Sequence, residues 1–376
     1  MTRLPARVDV AVIGLGAAGS AALGSLARAG AKVVGIDLFA PPHEMGSSHG
    51  ETRMLRTAYS EGEAYVPMVR RAIALWRDLE ARTRTPLFHQ TGVVYCGPAT
   101  SEFLAGAKAA AKRWNVPLAQ AGADETFATP AHWQRLLDRD GGYIDAEAAI
   151  AALLGDAESH GATVVKNCRC AAIKLAGRGV HVSTDLGNVH AERVIVTTGA
   201  WIGELASALA SVTHIERRVL HWFADTDGRY RSASGFRPFL VTTEEEAAFY
   251  GFPANARGEV KVAEHFIVER IASPDALDRN VTQRDIDFIR PLVSRFLPGL
   301  GAHTRASVCM YPMSRDEHFI VDRLPLEPRL IIGAGLSGHG FKFAPVIGEA
   351  LANLALDAAQ EIDVGFFSLR RFAEFR

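Results

Sequence analysis

Short apolar runs, glycine turns and amphipathic stretches alternate along most of the chain. Residues 8–13 have the sequence Val-Asp-Val-Ala-Val-Ile, which predicts a buried strand, and the alanine-rich stretch after the next glycine turn predicts a helix that stops at Gly30. The apolar run 32–36 predicts a second strand. Strand, helix and strand within about 30 residues make a βαβ unit, so the sequence predicts a parallel sheet near its start.

Further apolar periodicities predict four longer helices and several strands. An N-cap at Asp145 and a capping box formed by Thr282 and Asp285 mark the starts of two of the helices. The predicted helices are 63–82, 146–159, 282–296 and 344–359. The predicted strands are 193–198, 217–224, 248–252, 260–268, 307–311 and 330–332.

The order of these elements predicts an α/β protein with two domains. A Rossmann-type nucleotide-binding domain is assembled from discontinuous segments, because strand, glycine-rich loop and helix recur in the last third of the chain. A sheet-rich α+β domain is inserted between these segments. The predicted nucleotide domain comprises 1–85, 145–213 and 305–376, and the predicted substrate domain comprises 86–144 and 214–304.

Composition favours a small-molecule partner in a reducing compartment. The 376 residues carry 41 basic and 42 acidic side chains, a balance that argues against a nucleic-acid partner. Four cysteines fit neither a disulfide framework nor paired zinc spacing, which favours the cytoplasm. The 13 histidines lack metal-ligand spacing, so no metal site is expected. We also expect no membrane partner.

The first glycine run has the spacing of a dinucleotide-binding loop. Gly14 would permit the tight turn, Gly16 would let a pyrophosphate approach the backbone, and Gly19 would let the helix pack on the strand. Asp37, at the end of the second strand, is placed to accept a hydrogen bond from a ribose hydroxyl. This acid disfavours NADP and leaves both FAD and NAD open.

Three other segments concentrate residues that can bind ligands or take part in catalysis, and each also has a purely structural interpretation. Arg53 and Arg56 follow a short glycine-flanked stretch, although exposed arginines are usually solvated charges. Cys309 lies in a strand-like run, where a buried inert thiol is the usual meaning. The Gly-rich stretch 338–343 contains Lys342 directly before a predicted helix, which favours binding of anionic oxygen atoms.

Taken together, these segments resemble the monomeric sarcosine oxidase and N-methyltryptophan oxidase family, within the D-amino-acid-oxidase-like flavoproteins. The resemblance extends from Asp9 to Phe372 and is far more specific than the glycine run alone. The matching stretches are 40–43 (Ala-Pro-Pro-His), 49–53 (His-Gly-Glu-Thr-Arg), 249–253 (Phe-Tyr-Gly-Phe-Pro), 308–311 (Val-Cys-Met-Tyr), 316–320 (Asp-Glu-His-Phe-Ile) and 335–343 (Gly-Leu-Ser-Gly-His-Gly-Phe-Lys-Phe).

The resemblance implies an FAD-binding domain and a covalent FAD, joined by a thioether from Cys309 to the flavin 8-methyl position. It implies that Arg53 lies near the flavin ring and that Lys261 promotes the reaction of reduced flavin with oxygen. Arg56 and Lys342 match a pair that binds the substrate carboxylate, and Tyr250 and His265 match side chains around the amine. The implied cofactor-binding set is Gly14, Gly16, Gly19, Asp37, Arg53, Cys309, Gly338, Gly340 and Lys342.

The implied activity is oxidation of an N-methyl amino acid by O2 to the amino acid, formaldehyde and hydrogen peroxide, by a monomeric enzyme. Departures from the family pattern at Ser48, His221 and the pair Ala263-Glu264 leave the size of the substrate open, with a leaning toward the methyltryptophan branch. The alternatives are a flavin-dependent dehydrogenase that uses a non-oxygen acceptor and a non-catalytic dinucleotide-binding protein. From the glycine run alone, an NAD dehydrogenase also stays open.

Overall fold

The structure is a computed structural model that describes residues 3–62, 64–122, 126–244, 248–265 and 269–376. These residues form seven α-helices and twenty strands in three sheets. The helices are α1 (Ala17–Arg28), α2 (Tyr65–Thr83), α3 (Glu102–Trp114), α4 (Ala146–Ser159), α5 (Ile202–Leu205), α6 (Gln283–Phe296) and α7 (Ala344–Leu356). The strands are β1 (Arg7–Ile13), β2 (Val33–Ile36), β3 (Thr52–Leu55), β4 (Phe88–His89), β5 (Val93–Gly97), β6 (Leu118–Gln120), β7 (Gln134–Asp138), β8 (Gly142–Asp145), β9 (Thr163–Val165), β10 (Cys170–Ala176), β11 (Gly179–Thr184), β12 (Gly187–Val196), β13 (Thr213–Ala224), β14 (Phe239–Thr242), β15 (Ala248–Gly251), β16 (Glu259–Glu264), β17 (Arg270–Ile271), β18 (His303–Ser314), β19 (Ile320–Leu324) and β20 (Glu327–Ala334).

The first sheet confirms the predicted βαβ unit. Its centre is a parallel array in which β1 lies between β2 and β12, with β9 beside β2 and β20 beside β12. The antiparallel strands β10, β11 and β19 extend it. Helix α1 packs between α4 and α7, and its alanine and leucine side chains are almost fully buried. Burial of this small-residue helix brings the glycine turn before it close to the sheet.

The second sheet forms the inserted region. Its strand order is β17-β13-β16-β15-β14-β5-β7-β6, and β18 pairs with the other edge of β13. The pairings are antiparallel except for the parallel pair of β14 with β5. Helix α6 covers one face with Ile289, Val293 and Phe296, which pack against the buried aromatic residues Phe239 and Phe249. The third sheet, β3-β8-β4, contains the strand that begins at Thr52 and carries Arg53.

Sheet membership follows the predicted domain ranges except at two places. Strand β18 lies in the second sheet along its whole length, so the proposed boundary at residue 305 falls inside a strand. Strand β3 from the first range pairs with β8, which lies largely in the second. The two ranges are therefore joined by strand pairing as well as by the chain. The domain division itself stays a prediction.

Helix and strand predictions are confirmed in position, with shifts at the ends. The capping box is present, because the Thr282 side chain accepts from the Asp285 N–H and the Asp285 side chain accepts from Thr282. The prediction for Asp145 is wrong: it occupies the N-cap position, but its carboxylate binds His89 Nε2 at 2.7 Å instead of a helix N–H. Helix α7 ends at Leu356, three residues early, and residues 63 and 266–268 of two predicted elements lie outside the described residues.

Candidate active site

A glycine loop joins β1 to α1 and forms one end of a cavity. Gly14 has a φ of +90°, in the left-handed region that favours glycine. A Cβ on Gly19 would lie 1.8 Å from the Gly14 carbonyl oxygen, so the packing of α1 on β1 requires glycine there. Around a Cβ on Gly16, the nearest described atom would be Ser48 Oγ at 3.6 Å. Because Gly16 lines the cavity, the space left by its missing side chain is open to a ligand.

Asp37 lies directly after β2 and faces the same cavity. Its Oδ2 accepts a hydrogen bond from the Leu15 N–H at 2.6 Å, and its Oδ1 accepts one from the Phe39 N–H at 2.8 Å. These bonds attach the glycine loop to the end of β2. A carboxylate has about four acceptor positions, so Asp37 can also accept a hydrogen bond from a ligand hydroxyl.

The cavity runs from the glycine loop to the loop before α7, and its wall contains polar atoms without partners. Gly338 has a φ of +73°, and a Cβ there would lie 2.3 Å from a ring carbon of Tyr311. Thr198 Oγ1 and Trp201 Nε1 are buried and make no hydrogen bond to any described residue, although both residues line the cavity. A buried polar group without a partner costs about 1–3 kcal/mol. The wall is therefore complementary to a ligand that carries polar groups.

Arg53 lines the far part of this cavity, where its guanidinium is held by main-chain oxygens. Nη1 donates to the Thr52 carbonyl and Nη2 donates to the Ser47 carbonyl, both at 2.8 Å, and Nη2 also reaches the His49 carbonyl. No carboxylate forms an ion pair with Arg53 among the described residues. Its positive charge is consequently available to a ligand in the cavity.

Lys261 lies on β16 and shares an acceptor with Arg53. Its Nζ donates to the Gly50 carbonyl at 2.7 Å and to the Thr52 carbonyl at 2.6 Å, and it lies 4.2 Å from the centre of the Phe252 ring. Burial and the nearby charge of Arg53 lower the pKa of Lys261 well below its ordinary value. Arg53 and Lys261 thus converge on one carbonyl oxygen, that of Thr52, at the end of the cavity that Arg53 lines.

Cys309 is buried on β18, directly opposite Arg218 on β13. Burial raises the pKa of the Cys309 thiol, and the charges of Arg53, Arg218 and Lys261 oppose that shift. Tyr311, two residues further along the same strand, is on the same face and lines the cavity. The thiol is therefore placed among the cations that surround this end of the cavity.

A second cavity of about 500 Å³ lies beside the first, and Tyr311 lines both of them. His265 also lines the second cavity, and Tyr250 Oη lies 3.4 Å from Tyr311 Oη. Burial raises the pKa of Tyr250 well above its ordinary value, and burial lowers the pKa of His265 to about 4. Both side chains are therefore neutral near pH 7, and they can exchange hydrogen bonds with a ligand without carrying charge.

Arg56 and Lys342 approach each other around the ring of Tyr59. The Arg56 guanidinium carbon lies 4.9 Å from the ring centre, and Lys342 Nζ lies 5.1 Å from it. Arg56 forms a two-point ion pair with Glu61, and Lys342 Nζ donates to Tyr59 Oη at 3.2 Å and to the His339 carbonyl at 2.5 Å. Glu61 and His339 line the second cavity, so both cations lie one side chain behind its wall.

The protonation states around this pair can be derived from its hydrogen bonds. His339 Nε2 faces the Glu317 carbonyl at 3.1 Å, so Nε2 carries the proton and Nδ1 accepts from Tyr59 Oη at 2.6 Å. Burial lowers the pKa of His339 to about 3. Burial alone would raise the pKa of Glu61, but the charge and hydrogen bond of Arg56 together with the neighbouring His339 and Lys342 outweigh it and leave that pKa below its ordinary value.

The residues that the sequence singled out thus lie in two neighbouring groups. Of these residues, the first cavity is lined by Gly14, Gly16, Asp37, Arg53, Gly338 and Gly340, and the second by His265. The others do not line either cavity among the described residues; they are Gly19, Arg56, Tyr250, Lys261, Cys309 and Lys342. Sequence reasoning missed Tyr59, Glu61 and Tyr311. Tyr311 was within reach, because strand alternation places it on the same face as Cys309. The site residues that the sequence analysis proposed are Gly14, Gly16, Gly19, Asp37, Arg53, Arg56, Tyr250, Lys261, His265, Cys309, Gly338, Gly340 and Lys342.

Comparison with known proteins identifies the family of this chain. A family model described as FAD dependent oxidoreductase (DAO) matches residues 9–354. N-methyl-L-tryptophan oxidase of Yersinia pestis (strain Pestoides F) is 38% identical over 373 residues, which cover 97% of this chain and 99% of that protein. The chain belongs to the family of FAD-dependent oxidoreductases. These matches confirm the family resemblance that was inferred from the sequence of this oxidoreductase.

Solved structures show the same fold as this FAD-dependent oxidoreductase. NikD, described as an unusual amino acid oxidase essential for nikkomycin biosynthesis, superposes with a TM-score of 0.85 at 22% identity, covering 97% of this chain and 98% of that chain. Glycine oxidase from Geobacillus kaustophilus superposes with a TM-score of 0.82 at 18% identity, covering 98% of this chain and 100% of that chain. At these identities the likeness concerns the fold, and it confirms the predicted α/β class.

The first cavity of the oxidoreductase fits its FAD. The space beside Gly16 and the positive end of α1 suit the pyrophosphate, and Asp37 suits a ribose hydroxyl. The unpartnered atoms of Thr198 and Trp201 give the cofactor further hydrogen-bond partners. Within the described ranges, no group of three or more His, Cys, Asp or Glu side chains is placed to hold a metal ion. None of the described helices has the combination of length and apolar character that a membrane crossing needs.

Proposed function

We propose that this enzyme oxidises the N-methyl group of an N-methyl amino acid with O2 and water, and that it releases the free amino acid, formaldehyde and hydrogen peroxide. The observation that carries the proposal is the 38% identity to N-methyl-L-tryptophan oxidase over nearly the whole of both chains. Bound FAD supplies the two-electron oxidation of the amine and the transfer of electrons to O2.

Arg56 and Lys342 would bind the substrate carboxylate. A guanidinium offers a carboxylate two parallel hydrogen bonds, and an ammonium adds a point charge. In the structure Arg56 already holds a carboxylate in this manner, that of Glu61, which lines the second cavity. Substrate binding therefore requires exchange of one carboxylate for another at Arg56, and it leaves Glu61 facing the cavity.

Tyr250 and His265 would surround the amine. Only an unprotonated amine can be oxidised, and the lowered pKa of His265 and the raised pKa of Tyr250 keep both groups neutral near pH 7. A neutral imidazole and a neutral phenol favour the neutral amine over its charged form. We assign neither residue as an obligatory base.

The second cavity supports a substrate larger than sarcosine. Its volume of about 500 Å³ lies within the usual range for small-molecule sites, ~300–1,000 Å³. Phe103, Leu240 and Met313 give part of its wall an apolar character. The proposal favours an N-methyl amino acid with a sizeable side chain, as the sequence also suggested.

Cys309 would form the covalent link to the flavin 8-methyl carbon, and Arg53 and Lys261 would surround the flavin ring. The position of the thiol on β18, two residues before Tyr311 in the cavity wall, supports this assignment. Arg53, Lys261 and the helix entry with Gly338 and Gly340 supply the positive charge that reduced flavin and oxygen reduction require. A cytoplasmic location and a monomeric state stay predictions from the sequence.

One experiment tests the covalent link directly. Acid precipitation of the purified protein should leave fluorescent flavin on the polypeptide, and Cys309→Ala should abolish that retention. Cys96→Ala is the matched control, because Cys96 is also a buried strand cysteine but packs in the aromatic cluster beneath α6, whereas Cys309 packs beside Tyr311. Quantitative release of flavin from the unmodified protein would reject the link.

A peroxide-coupled assay tests the reaction. Sarcosine, N-methyl amino acids with larger side chains, pipecolate and proline form the panel, and the proposal expects equal yields of formaldehyde and peroxide with the N-methyl compounds. Flavin that is bleached under nitrogen yet fails to react with O2 would favour the alternative dehydrogenase.

A further inference from the structure

Glu51 has a backbone conformation that needs support from its surroundings. Its φ is +71°, a region that costs a residue with a Cβ about 1–2 kcal/mol. The preceding residue, Gly50, also has a positive φ, +92°. Such conformations persist only where neighbouring groups hold them, and they are concentrated at functional sites. Here they shape the turn that leads into β3 and Arg53.

The residues on either side of Glu51 provide the two carbonyl acceptors of Lys261. Lys261 Nζ donates to the carbonyls of Gly50 and Thr52, at 2.7 and 2.6 Å. The direction of both carbonyls is set by the backbone angles at and beside Glu51. The position of the lysine therefore depends on a turn that is 211 residues away along the chain.

The side chain of Glu51 is held by three donors from the second sheet and its loops. Its Oε2 accepts from Trp222 Nε1 at 2.9 Å and from Asn255 Nδ2 at 3.0 Å, and its Oε1 accepts from Arg305 Nη2 at 2.5 Å. The Arg305 guanidinium stacks 3.8 Å from the centre of a Trp222 ring. Trp222 is also the direct cross-strand partner of Lys261. One sheet therefore supplies the lysine and two of the donors, Trp222 and Arg305, while Asn255 lies in the loop between β15 and β16.

The main chain of Glu51 is held as well. Its N–H donates to the Glu147 carboxylate at 3.1 and 3.2 Å, and its carbonyl accepts from the Ala146 N–H at 2.7 Å. Among the described residues Glu51 lines neither cavity, and both its carboxylate and its main-chain groups are bound by protein partners. Its contacts serve the turn rather than a ligand.

We propose that Glu51 is a positioning residue for Lys261: its carboxylate, held by Trp222, Asn255 and Arg305, fixes the left-handed turn whose two carbonyls hold the lysine ammonium. This inference rests on the proposed function, in which Lys261 promotes the reaction with O2. Loss of the carboxylate releases the turn and moves both acceptors, and the ammonium loses its fixed place.

Glu259 provides a matched control. Its carboxylate binds the same two partners, accepting from Arg305 Nε at 3.0 Å and from Asn255 Nδ2 at 3.3 Å. It lies on β16, however, and forms no part of the turn at 50–52. Glu51→Gln and Glu259→Gln remove the same charge from the same cluster, and only the first touches the turn.

The test separates the two halves of the reaction. In the holoenzyme the flavin is reduced with dithionite or by light and mixed with air-saturated buffer, so that the step with O2 is measured without a substrate. We expect Glu51→Ala to slow it at least about tenfold, Glu51→Gln to slow it less because an acceptor for Trp222 and Asn255 stays, and Glu259→Gln to leave it within about twofold. Anaerobic reduction by an N-methyl amino acid should stay within about twofold in all three.

Backbone hydrogen exchange supplies a readout apart from activity. Peptides that cover 49–53 should exchange faster in Glu51→Ala and not in Glu259→Gln. Normal reaction with O2 in Glu51→Ala, or equal slowing in Glu51→Gln and Glu259→Gln, would overturn the proposal. Lys261→Met is measured alongside. A normal rate of flavin reoxidation in Lys261→Met rejects the role of the lysine in the reaction with O2. Slow reoxidation in Lys261→Met with normal reoxidation in Glu51→Ala rejects only the positioning role of Glu51. If Glu51→Ala does not fold, Glu51→Gln carries the test.

Discussion

The two ends of the flavin cavity are built in different ways. At the glycine-loop end, Gly14, Gly16, Gly19 and Asp37 come from one βαβ unit. Because glycine has no side chain, these positions leave space for the close packing of α1 and for the cofactor. At the other end, Arg53 and Lys261 come from segments about 200 residues apart and are held by carbonyl oxygens of one turn. The first end depends on close packing and the second on the placement of charge. The predictions below use that difference.

The largest effect is expected from Gly19→Ala at the glycine loop. The added Cβ would lie 1.8 Å from the Gly14 carbonyl oxygen, so α1 must move away from β1. We expect a loss of bound flavin and destabilisation by about 3 kcal/mol or more. Gly16→Ala is the control, since a Cβ there meets no described atom within 3.5 Å and should leave the unfolding midpoint of the flavin-free protein within about 2 °C. Equal destabilisation by both substitutions would contradict this account of the loop.

Lys261→Met tests the charged end. If the ammonium promotes the step with O2, its removal should slow flavin reoxidation by about 100-fold and leave anaerobic flavin reduction within about twofold. Stopped-flow absorbance measures both steps in the same preparation. Equal slowing of the two steps would assign Lys261 a structural role instead.

Arg56→Gln tests the second cavity. Loss of a two-point carboxylate contact should lower kcat/KM by about 100-fold, mostly through KM. The substitution also leaves Glu61 without its partner, so the double variant with Glu61→Gln controls for stability. We expect the double variant to regain the unfolding midpoint but not the activity, and recovery of both would show that Arg56 only neutralises Glu61.

The smallest effect per residue is a loss of stability in weak acid. Burial lowers the pKa of His49 to about 3, of His265 to about 4 and of His339 to about 3, whereas the unfolded chain has the ordinary value of 6.5. The unfolded state therefore binds more protons below pH 6.5, and the stability present above that pH falls as the pH drops. We expect about 1 kcal/mol per histidine at pH 5.5, measured by urea unfolding at pH 7 and 5.5. His339→Gln should remove its share of the pH dependence, and an unchanged slope would exclude this histidine as a source.

Sequence patterns predicted the regions whose structure depends on residues that are close together along the chain. The βαβ unit and the capping box at Thr282 follow from periodicity and spacing within a few dozen residues, and the structure agrees with both. Strand pairing across the chain was not predictable in this way. Nothing local shows that β18 joins β13, or that Asp145 prefers His89 to the helix end next to it.

The same limit applies to the site. Lys261 and Cys309 were found through a family resemblance, because a single lysine or cysteine in a strand has no local signature. Their neighbours Glu51 and Arg218 were not recognised, since their roles depend on contacts between segments about 100 to 250 residues apart. Periodicity describes which face of an element is buried, but it does not say which distant element lies against that face.

Strand β20 has a consequence for synthesis of the protein on the ribosome. It pairs with β12 in the middle of the first sheet, with Val194 opposite Leu330 and Val196 opposite Ile332. Until residue 334 has left the exit tunnel, the end of β12 at Val194–Val196 lacks a partner on one edge, because β11 pairs only with Gly187–Ala191, and the cavity lacks the wall that Gly338 and Gly340 provide. The nascent chain therefore carries an open stretch of sheet edge while residues 197–334 are made, more than a third of the 376-residue chain. This exposure favours aggregation and ends when β20 joins the sheet.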